Sequence, residues 1–207
     1  MYPEKITGKF FEERVSERMN FLRDRGILDG NRYGVQAVHR KLPDGVNIQV
    51  PGCAPGMFLT AMPSLPDFEG VIPGARQFTF DCKVCSDNSL SMSEYFSTES
   101  SKGKRVRQMR HLVRRANMGC CSGLLIHFNE RVLKTRVCPA VTYFWQVGSG
   151  VLWNSVVEKQ TNSVSRFDCE LHAVKVFWTK GDGESIYRPD FASFVFDFFQ
   201  TKDMEGH

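Results

Sequence analysis

The chain has 207 residues and a mass of 23.6 kDa, enough for one domain with elaborations and too short for a long modular protein. Its 42% hydrophobic, 24% charged and 12% aromatic residues are typical of a folded globular chain and exclude a disordered or fibrous one. The 27 basic and 23 acidic residues give a net charge of +4, which allows a nucleic-acid partner without requiring one.

Targeting and redox signals predict a cytoplasmic protein without membrane contact. The first twenty residues carry charges every few positions and lack the apolar core of a signal peptide. No run reaches the roughly 18 apolar residues of a membrane span. The seven cysteines are an odd number at scattered positions, which favours reduced thiols over a disulfide framework.

The first third of the chain combines a helix with an irregular segment. Apolar residues recur at helical spacing from Ile6 to Leu22, which predicts a helix that ends near Gly26. Arg32 to His39 is predicted to be a short strand. Residues 42–67 contain five prolines, so an extended arm is expected there, because proline stops helices and removes ladder donors.

The remainder reads as strands separated by helices. Phe68 to Val84 predicts a hairpin that turns at Pro73-Gly74, and Ser86 to Ser101, rich in serine and asparagine, is predicted to be a loop. Residues 102–119 predict a second helix that ends at a C-cap glycine, Gly119. Further strands are predicted at Ser122–Phe128, Arg131–Val137, Thr142–Val147 and within Leu171–Trp178. This order predicts an α/β or α+β fold with a mixed sheet flanked by helices.

The hairpin predicted over Phe68 to Val84 brings charged side chains together. Asp67 precedes the first strand and Asp81 lies near the far end of its partner, so the two carboxylates converge. Lys83 shares the face of Asp81, because strand side chains alternate with period two. Converging oxygens suit a hard cation such as Mg²⁺, and the carbonyl of Cys82 offers another ligand. Glu12, on the edge of the buried face of the first helix, is a candidate for a further metal or water ligand.

These residues resemble the PD-(D/E)xK nuclease superfamily, here written Pro66-Asp67, thirteen residues, then Asp81-Cys82-Lys83. Within it the chain looks most like the RecU family of Holliday-junction resolvases over about residues 6 to 147. The resemblance rests on motifs in matching order: Gly8-Lys9-Phe10-Phe11-Glu12, His39-Arg40-Lys41-Leu42-Pro43, Asp67-Phe68-Glu69-Gly70, Phe80-Asp81-Cys82-Lys83, a helix with Gln108 before GCCSGLLIHF, and Tyr143-Phe144-Trp145.

The resemblance implies a restriction-endonuclease-like α/β fold and a homodimeric, Mg²⁺-dependent endodeoxyribonuclease that introduces paired symmetric nicks at four-way DNA junctions, with Mn²⁺ as a substitute metal. It implies a nuclease domain over residues 1–150, a junction-entering arm at about 43–64, and an extension over 151–207 packed on the same domain. By position, the implied catalytic residues are Glu12, Asp67, Asp81, Lys83 and Gln108, and the metal ligands are Glu12, Asp67, Asp81 and Cys82. The family usually carries Glu where this chain has Asp81, and Thr or Ser just before the first aspartate.

Clustered basic residues favour a DNA partner independently of the resemblance. Residues 102–115 hold seven of the 27 basic residues and no acid, a stripe that binds phosphates with little sequence information. The predicted DNA-binding residues are Arg40, Lys41, Lys102, Lys104, Arg105, Arg107, Arg110, Arg114 and Arg115.

Two other functions are compatible with the pattern. A general PD-(D/E)xK nuclease would cut linear, flapped or foreign DNA with the same metal site, and a non-catalytic DNA-binding protein would keep the fold alone. Zinc binding by Cys82, Cys85 and the Cys120-Cys121 pair is disfavoured, because adjacent cysteines suit tetrahedral chelation poorly. The aromatic residues Tyr143, Phe144, Trp145 and Trp178 are expected in the core rather than as base-stacking platforms.

Overall fold

The computed structural model of the protein describes residues 5–32, 66–73, 76–96, 103–135, 137–159, 161–180, 186–190, 193–195 and 197–198. Residues 33–39 of the predicted second element and the whole predicted arm, 43–64, lie outside these ranges.

A six-stranded mixed sheet is the centre of the described structure. Neighbouring strands are antiparallel except the third and fourth, which are parallel. In spatial order the strands are β1 (Asp29–Arg32), β2 (Phe68–Ile72), β3 (Arg76–Cys85), β5 (Cys121–Phe128), β8 (Val141–Gln146) and β10 (Val174–Val176).

Helices and short strand pairs surround this sheet. The helices are α1 (Gly8–Asp24), α2 (Ser93–Phe96), α3 (Lys104–Asn117), α4 (Val151–Lys159) and α5 (Arg166–His172). The strand pairs are β4 (Ser89–Ser91) with β9 (Ser163–Ser165), β6 (Arg131–Val132) with β7 (Val137–Cys138), and β11 (Trp178–Lys180) with β12 (Tyr187–Pro189). None of the helices within the described ranges is long and apolar enough to span a membrane.

The helix α1 covers one face of the sheet. The side chain of Thr7 accepts a hydrogen bond from the backbone N–H of Phe10 and so caps the helix at its first turn. Helical spacing then places Phe11, Val15 and Met19 on one side, where they are buried against Phe78, Phe80 and Phe144 of the sheet. The predicted helix over Ile6 to Leu22 is thus confirmed to within two residues at each end.

The helix α3 covers the opposite face. Met109 and Leu112 are buried there against Leu124 and Ile126 of β5. The helix ends before Gly119, whose φ of +85° is the left-handed conformation that glycine adopts without strain. The predicted helix and its terminal glycine are confirmed.

Three predicted element assignments were wrong in part. The predicted loop over Ser86–Ser101 contains β4 and α2, because Leu90, Met92 and Tyr95 among the serines are buried in the core. The single strand predicted over Arg131–Val137 is instead two short strands, because β6 and β7 pair with each other in antiparallel register. The first two residues of the predicted Leu171–Trp178 strand end α5, whose capping box at Ser165 and Asp168 begins the helix upstream.

Aromatic residues fill the core, as the sequence predicts. Tyr143, Phe144, Trp145 and Trp178 are all buried. The Trp178 indole donates a hydrogen bond to the Thr142 hydroxyl over 2.7 Å, so its polar atom is satisfied inside the core. The predicted fold class, α/β with a central mixed sheet flanked by helices, is confirmed.

Candidate active site

Asp67 and Asp81 lie side by side on the two strands of the predicted hairpin. Phe68 of β2 pairs with Phe80 of β3 in antiparallel register, so the residue before Phe68 and the residue after Phe80 form the next position of the ladder. Side chains alternate between faces, so both aspartates project to the face opposite the two phenylalanines, which is the α3 face. The structure therefore brings together the two carboxylates at the centre of the predicted site.

Asp67 has an unusual electrostatic environment. Its Oδ2 accepts a hydrogen bond from the backbone N–H of Cys82 over 2.8 Å, which fixes the carboxylate against β3. Burial raises the pKa of Asp67 from 3.8 to about 8, and the neighbouring Asp81 adds to the shift. Lys83 and the Cys82 hydrogen bond lower this pKa by less. Without a cation beside it, Asp67 therefore carries a proton at neutral pH, and a bound cation would favour its ionised form.

Asp81 is fully buried and held from two sides. Its Oδ1 accepts a hydrogen bond from the Gln108 side-chain amide of α3 over 3.0 Å, and its Oδ2 forms an ion pair with the ammonium of Lys83. The Ser122 hydroxyl of β5 donates a hydrogen bond to the backbone carbonyl of Leu112 over 2.7 Å and so holds α3 against the sheet. Of the predicted residues, Asp81 is therefore in direct contact with both Lys83 and Gln108.

Lys83 keeps its positive charge in this site. Burial has the largest single effect and lowers the pKa of the ammonium. The negative charge of Asp81 and several smaller contributions raise it, and their sum exceeds the effect of burial, so the pKa lies above its ordinary value. Lys83 is thus a fixed cation rather than a proton acceptor at neutral pH.

Tyr95 of α2 is a neighbour of the site that the sequence interpretation missed. The Nζ atom of Lys83 lies 6.0 Å from the centre of the Tyr95 ring, and Tyr95 is only 2% exposed. Burial raises the pKa of its hydroxyl to about 12, so it stays protonated. The apolar spacing of Leu90, Met92 and Tyr95 within a serine-rich stretch was the signal that could have identified a packed element here.

Glu12 approaches β3 from the other face of the sheet. It lies half-buried on α1, and its charge reaches the thiol of Cys82, which packs among the residues on that side. Burial raises the pKa of this thiol well above its ordinary value, and the charges of Asp67, Asp81 and Glu12 raise it further. The Cys82 thiol is therefore neutral, and the contact of this residue with the aspartates runs through its backbone N–H.

The residues present suit a magnesium ion, which takes many of its ligands from water and substrate, better than a metal whose ligands are all protein side chains. No group of three or more His, Cys, Asp or Glu side chains close enough to hold a metal occurs in the described residues, so Glu12 is not clustered with the two aspartates. Magnesium commonly uses one or two carboxylates and takes its other ligands from water and phosphate oxygens. Asp67 and Asp81, which lie next to each other, supply such a donor set.

The basic residues of α3 have two different environments. Arg110 and Arg114 are exposed, and Arg107 is half-buried. Arg105 pairs with Glu94 over 3.1 Å, and Arg115 forms an ion pair with Glu69 of β2. The Lys104 side chain and residues Arg40, Lys41 and Lys102 lie outside the described part of the chain.

Comparisons with known proteins find similarity at the level of solved structures. No family model matches the chain, and no curated protein sequence matches it. The structure is similar to that of Hjc, a Holliday junction resolvase of Archaeoglobus fulgidus, with a TM-score of 0.37 and 12% identity over 81% of this chain and 95% of that one. The fold described above rests on the strand order and not on this similarity.

Proposed function

We propose that the protein is a Mg²⁺-dependent endodeoxyribonuclease that resolves Holliday junctions by paired symmetric nicks. The observation that carries the proposal is the pair of converging carboxylates, the half-buried Asp67 and the buried Asp81, beside the charged Lys83. A cation-binding pair next to a fixed positive charge suits phosphodiester hydrolysis, in which negative charge accumulates on the phosphate. Junction selectivity and a two-fold dimer with two equivalent sites follow from the RecU resemblance.

Each side chain of the site has a separate task in this proposal. Asp67 and Asp81 would hold Mg²⁺, which when bound neutralises phosphate charge and lowers the pKa of a coordinated water. The Lys83 ammonium orients the attacking water and offsets charge on the phosphate. Gln108 and the N–H of Cys82 keep the two carboxylates aimed at one place.

The reaction itself is hydrolysis of one P–O bond in each of two strands. Water oxygen bonds to phosphorus, the 3′ oxygen leaves with a proton, and a 5′-phosphate remains. The exposed Arg110 and Arg114 contact the DNA backbone, a sequence-independent interaction appropriate for an enzyme that recognises shape.

The test is cleavage of a labelled synthetic four-way junction beside a linear duplex of the same sequence, in Mg²⁺ and in EDTA. We expect symmetric nicks in the junction that require Mg²⁺, with the duplex intact. Equal cutting of both substrates would instead identify a general nuclease. Binding without cutting in Mg²⁺ or Mn²⁺ would leave a non-catalytic DNA-binding protein.

A further inference from the structure

An open groove runs along the outer side of α3, between α2 and α4. It encloses about 640 Å³, within the roughly 300–1,000 Å³ typical of small-molecule sites. Met109 and Val113 of α3 line it with Trp153 of α4 and Phe96 of α2. The rings of Phe96 and Trp153 lie 5.9 Å apart at an angle of 48°, and Phe96 is 40% exposed. The groove thus offers aromatic surface to a flat ligand.

The wall of this groove carries positive charge. Arg110 and Arg114, one helical turn apart on α3, line it and are both exposed. The helix contains no acidic residue from Lys104 to Asn117. An apolar interior with cations at its edge matches a nucleotide, which has a flat π-system and an anionic phosphate.

Tyr95 connects the groove to the carboxylate site. It lines the groove, and the Lys83 ammonium lies 6.0 Å from the centre of its ring. Lys83 in turn forms the ion pair with Asp81. Tyr95 is thus a shared neighbour of the groove and of the carboxylate site.

We propose that this groove binds an unstacked base of the DNA strand beside the scissile phosphate. The inference rests on the proposed nuclease function and deepens it, because it assigns a site for unpaired nucleotides, which branch points release more readily than duplex does. The base stacks on Phe96 and Trp153, while Arg110 and Arg114 contact its flanking phosphates.

The test compares a fluorescein-labelled oligothymidylate of about eight nucleotides with an abasic strand of equal length and charge. Both are titrated in EDTA, so that cleavage does not enter the measurement. We expect the abasic strand to bind about tenfold more weakly, as loss of one stacked base predicts. Oligothymidylate should also quench tryptophan emission, and Trp153→Phe should remove most of that quenching, since Trp145 and Trp178 are buried.

A second variant, at Phe96, keeps the test informative if Trp153→Phe does not fold. Phe96→Ala should weaken oligothymidylate binding about tenfold and leave abasic binding unchanged. Phe177→Ala is the matched control, because Phe177 is 61% exposed and does not line the groove. It should bind both strands as the wild type does.

The outcomes separate this inference from the nuclease proposal. Preference for base-bearing strands together with an absence of cleavage in Mg²⁺ would sustain the groove inference and refute the nuclease. Equal affinity for abasic and base-bearing strands, with unchanged Trp153 emission, would overturn the inference even if the protein cleaves junctions.

Discussion

Asp81 is fully buried, and each of its two carboxylate oxygens contacts one side chain. Gln108 of α3 contacts Oδ1, and Lys83 of β3 itself contacts Oδ2. A carboxylate oxygen has two lone pairs, so these contacts leave room for a cation while they fix the direction from which it is approached. The Gln108 amide is therefore important for the aim of the carboxylate as well as for stability.

We expect Gln108→Leu to lower the Mg²⁺ affinity by about 10- to 100-fold, the usual effect of losing a group that orients a metal ligand. It should also lower the free energy of unfolding by about 1–3 kcal/mol, because an oxygen of the buried Asp81 loses its amide donor. Calorimetric Mg²⁺ titration and urea unfolding measure the two effects. Asn154→Leu, which removes a side-chain amide at an exposed position of α4, is the control and should change neither.

His127 gives the fold a defined pH dependence. It is fully buried, its Nδ1 lies 2.8 Å from the Thr142 hydroxyl, and burial together with the charge of Arg166 lowers its pKa from 6.5 to about 4. Below pH 6.5 the unfolded chain binds a proton that the folded one does not. The stability present above pH 6.5 is therefore lost progressively as the pH falls toward 4.

This linkage makes the free energy of unfolding about 2 kcal/mol lower at pH 5 than at pH 7.5. Urea unfolding of the wild type and of His127→Phe at the two pH values measures it. We expect the free energy of unfolding of the wild type to fall by about 2 kcal/mol more than that of the variant. An equal fall in both proteins would show that His127 is already protonated in the fold.

At the scale of elements, α3 has two functional sides. Gln108 on its inner side contacts Asp81, while Arg110 and Arg114 face solvent. The ion pair of Arg115 with Glu69 fastens the same helix to β2. One rigid element thus couples the position of the carboxylate site to the surface proposed to contact DNA.

We expect Arg110→Gln with Arg114→Gln to weaken DNA binding similarly for all sequences. The slope of log affinity against log salt should become shallower by about 2, one for each lost phosphate contact. Fluorescence anisotropy over a range of NaCl concentrations measures the slope. The double change Arg23→Gln and Arg25→Gln, at the end of α1, is the charge-matched control, and an equal effect there would indicate only a net-charge effect.

The sequence was informative where periodicity and burial agree. Helical spacing identified α1 and α3, and the two strands around Pro73-Gly74 identified the pairing that brings Asp67 to Asp81. It failed at α2, because four helical residues are too few to show helical periodicity, and the only signal was the apolar residues Leu90, Met92 and Tyr95. Tyr95 and the groove were therefore missed. The contacts of α4 with α2 and α3 join segments far apart in the chain, which one sequence does not reveal.

At the scale of the whole molecule, the described residues beyond 150 belong to the same core as the site. The strand β10 pairs with β8 at the edge of the central sheet, and Phe194 stacks on Phe144 with ring centres 4.0 Å apart. Arg18 of α1 also forms an ion pair with Asp190 over 2.9 Å. Residues beyond 150 thus stabilise the sheet that carries the carboxylates.

A fragment of residues 1–150 should not fold cooperatively. It loses β10, Trp178 and Phe194, and removal of one large buried aromatic side chain alone costs about 3–5 kcal/mol. A total stability of roughly 5–15 kcal/mol does not withstand several such losses. Thermal unfolding followed by near-ultraviolet circular dichroism tests this, and a fragment with the full-length Tm would contradict it.

The central claim, that Asp67 and Asp81 form a metal-dependent phosphodiesterase site, is tested most directly by single-turnover cleavage of a four-way junction in Mg²⁺. We predict that Asp81→Asn lowers the rate by about a thousandfold or more, the loss of several kcal/mol of charge stabilisation, while junction binding persists. Asp24→Asn, at an exposed position at the end of α1, should cleave as the wild type does. Cleavage by Asp81→Asn at the wild-type rate would contradict the account.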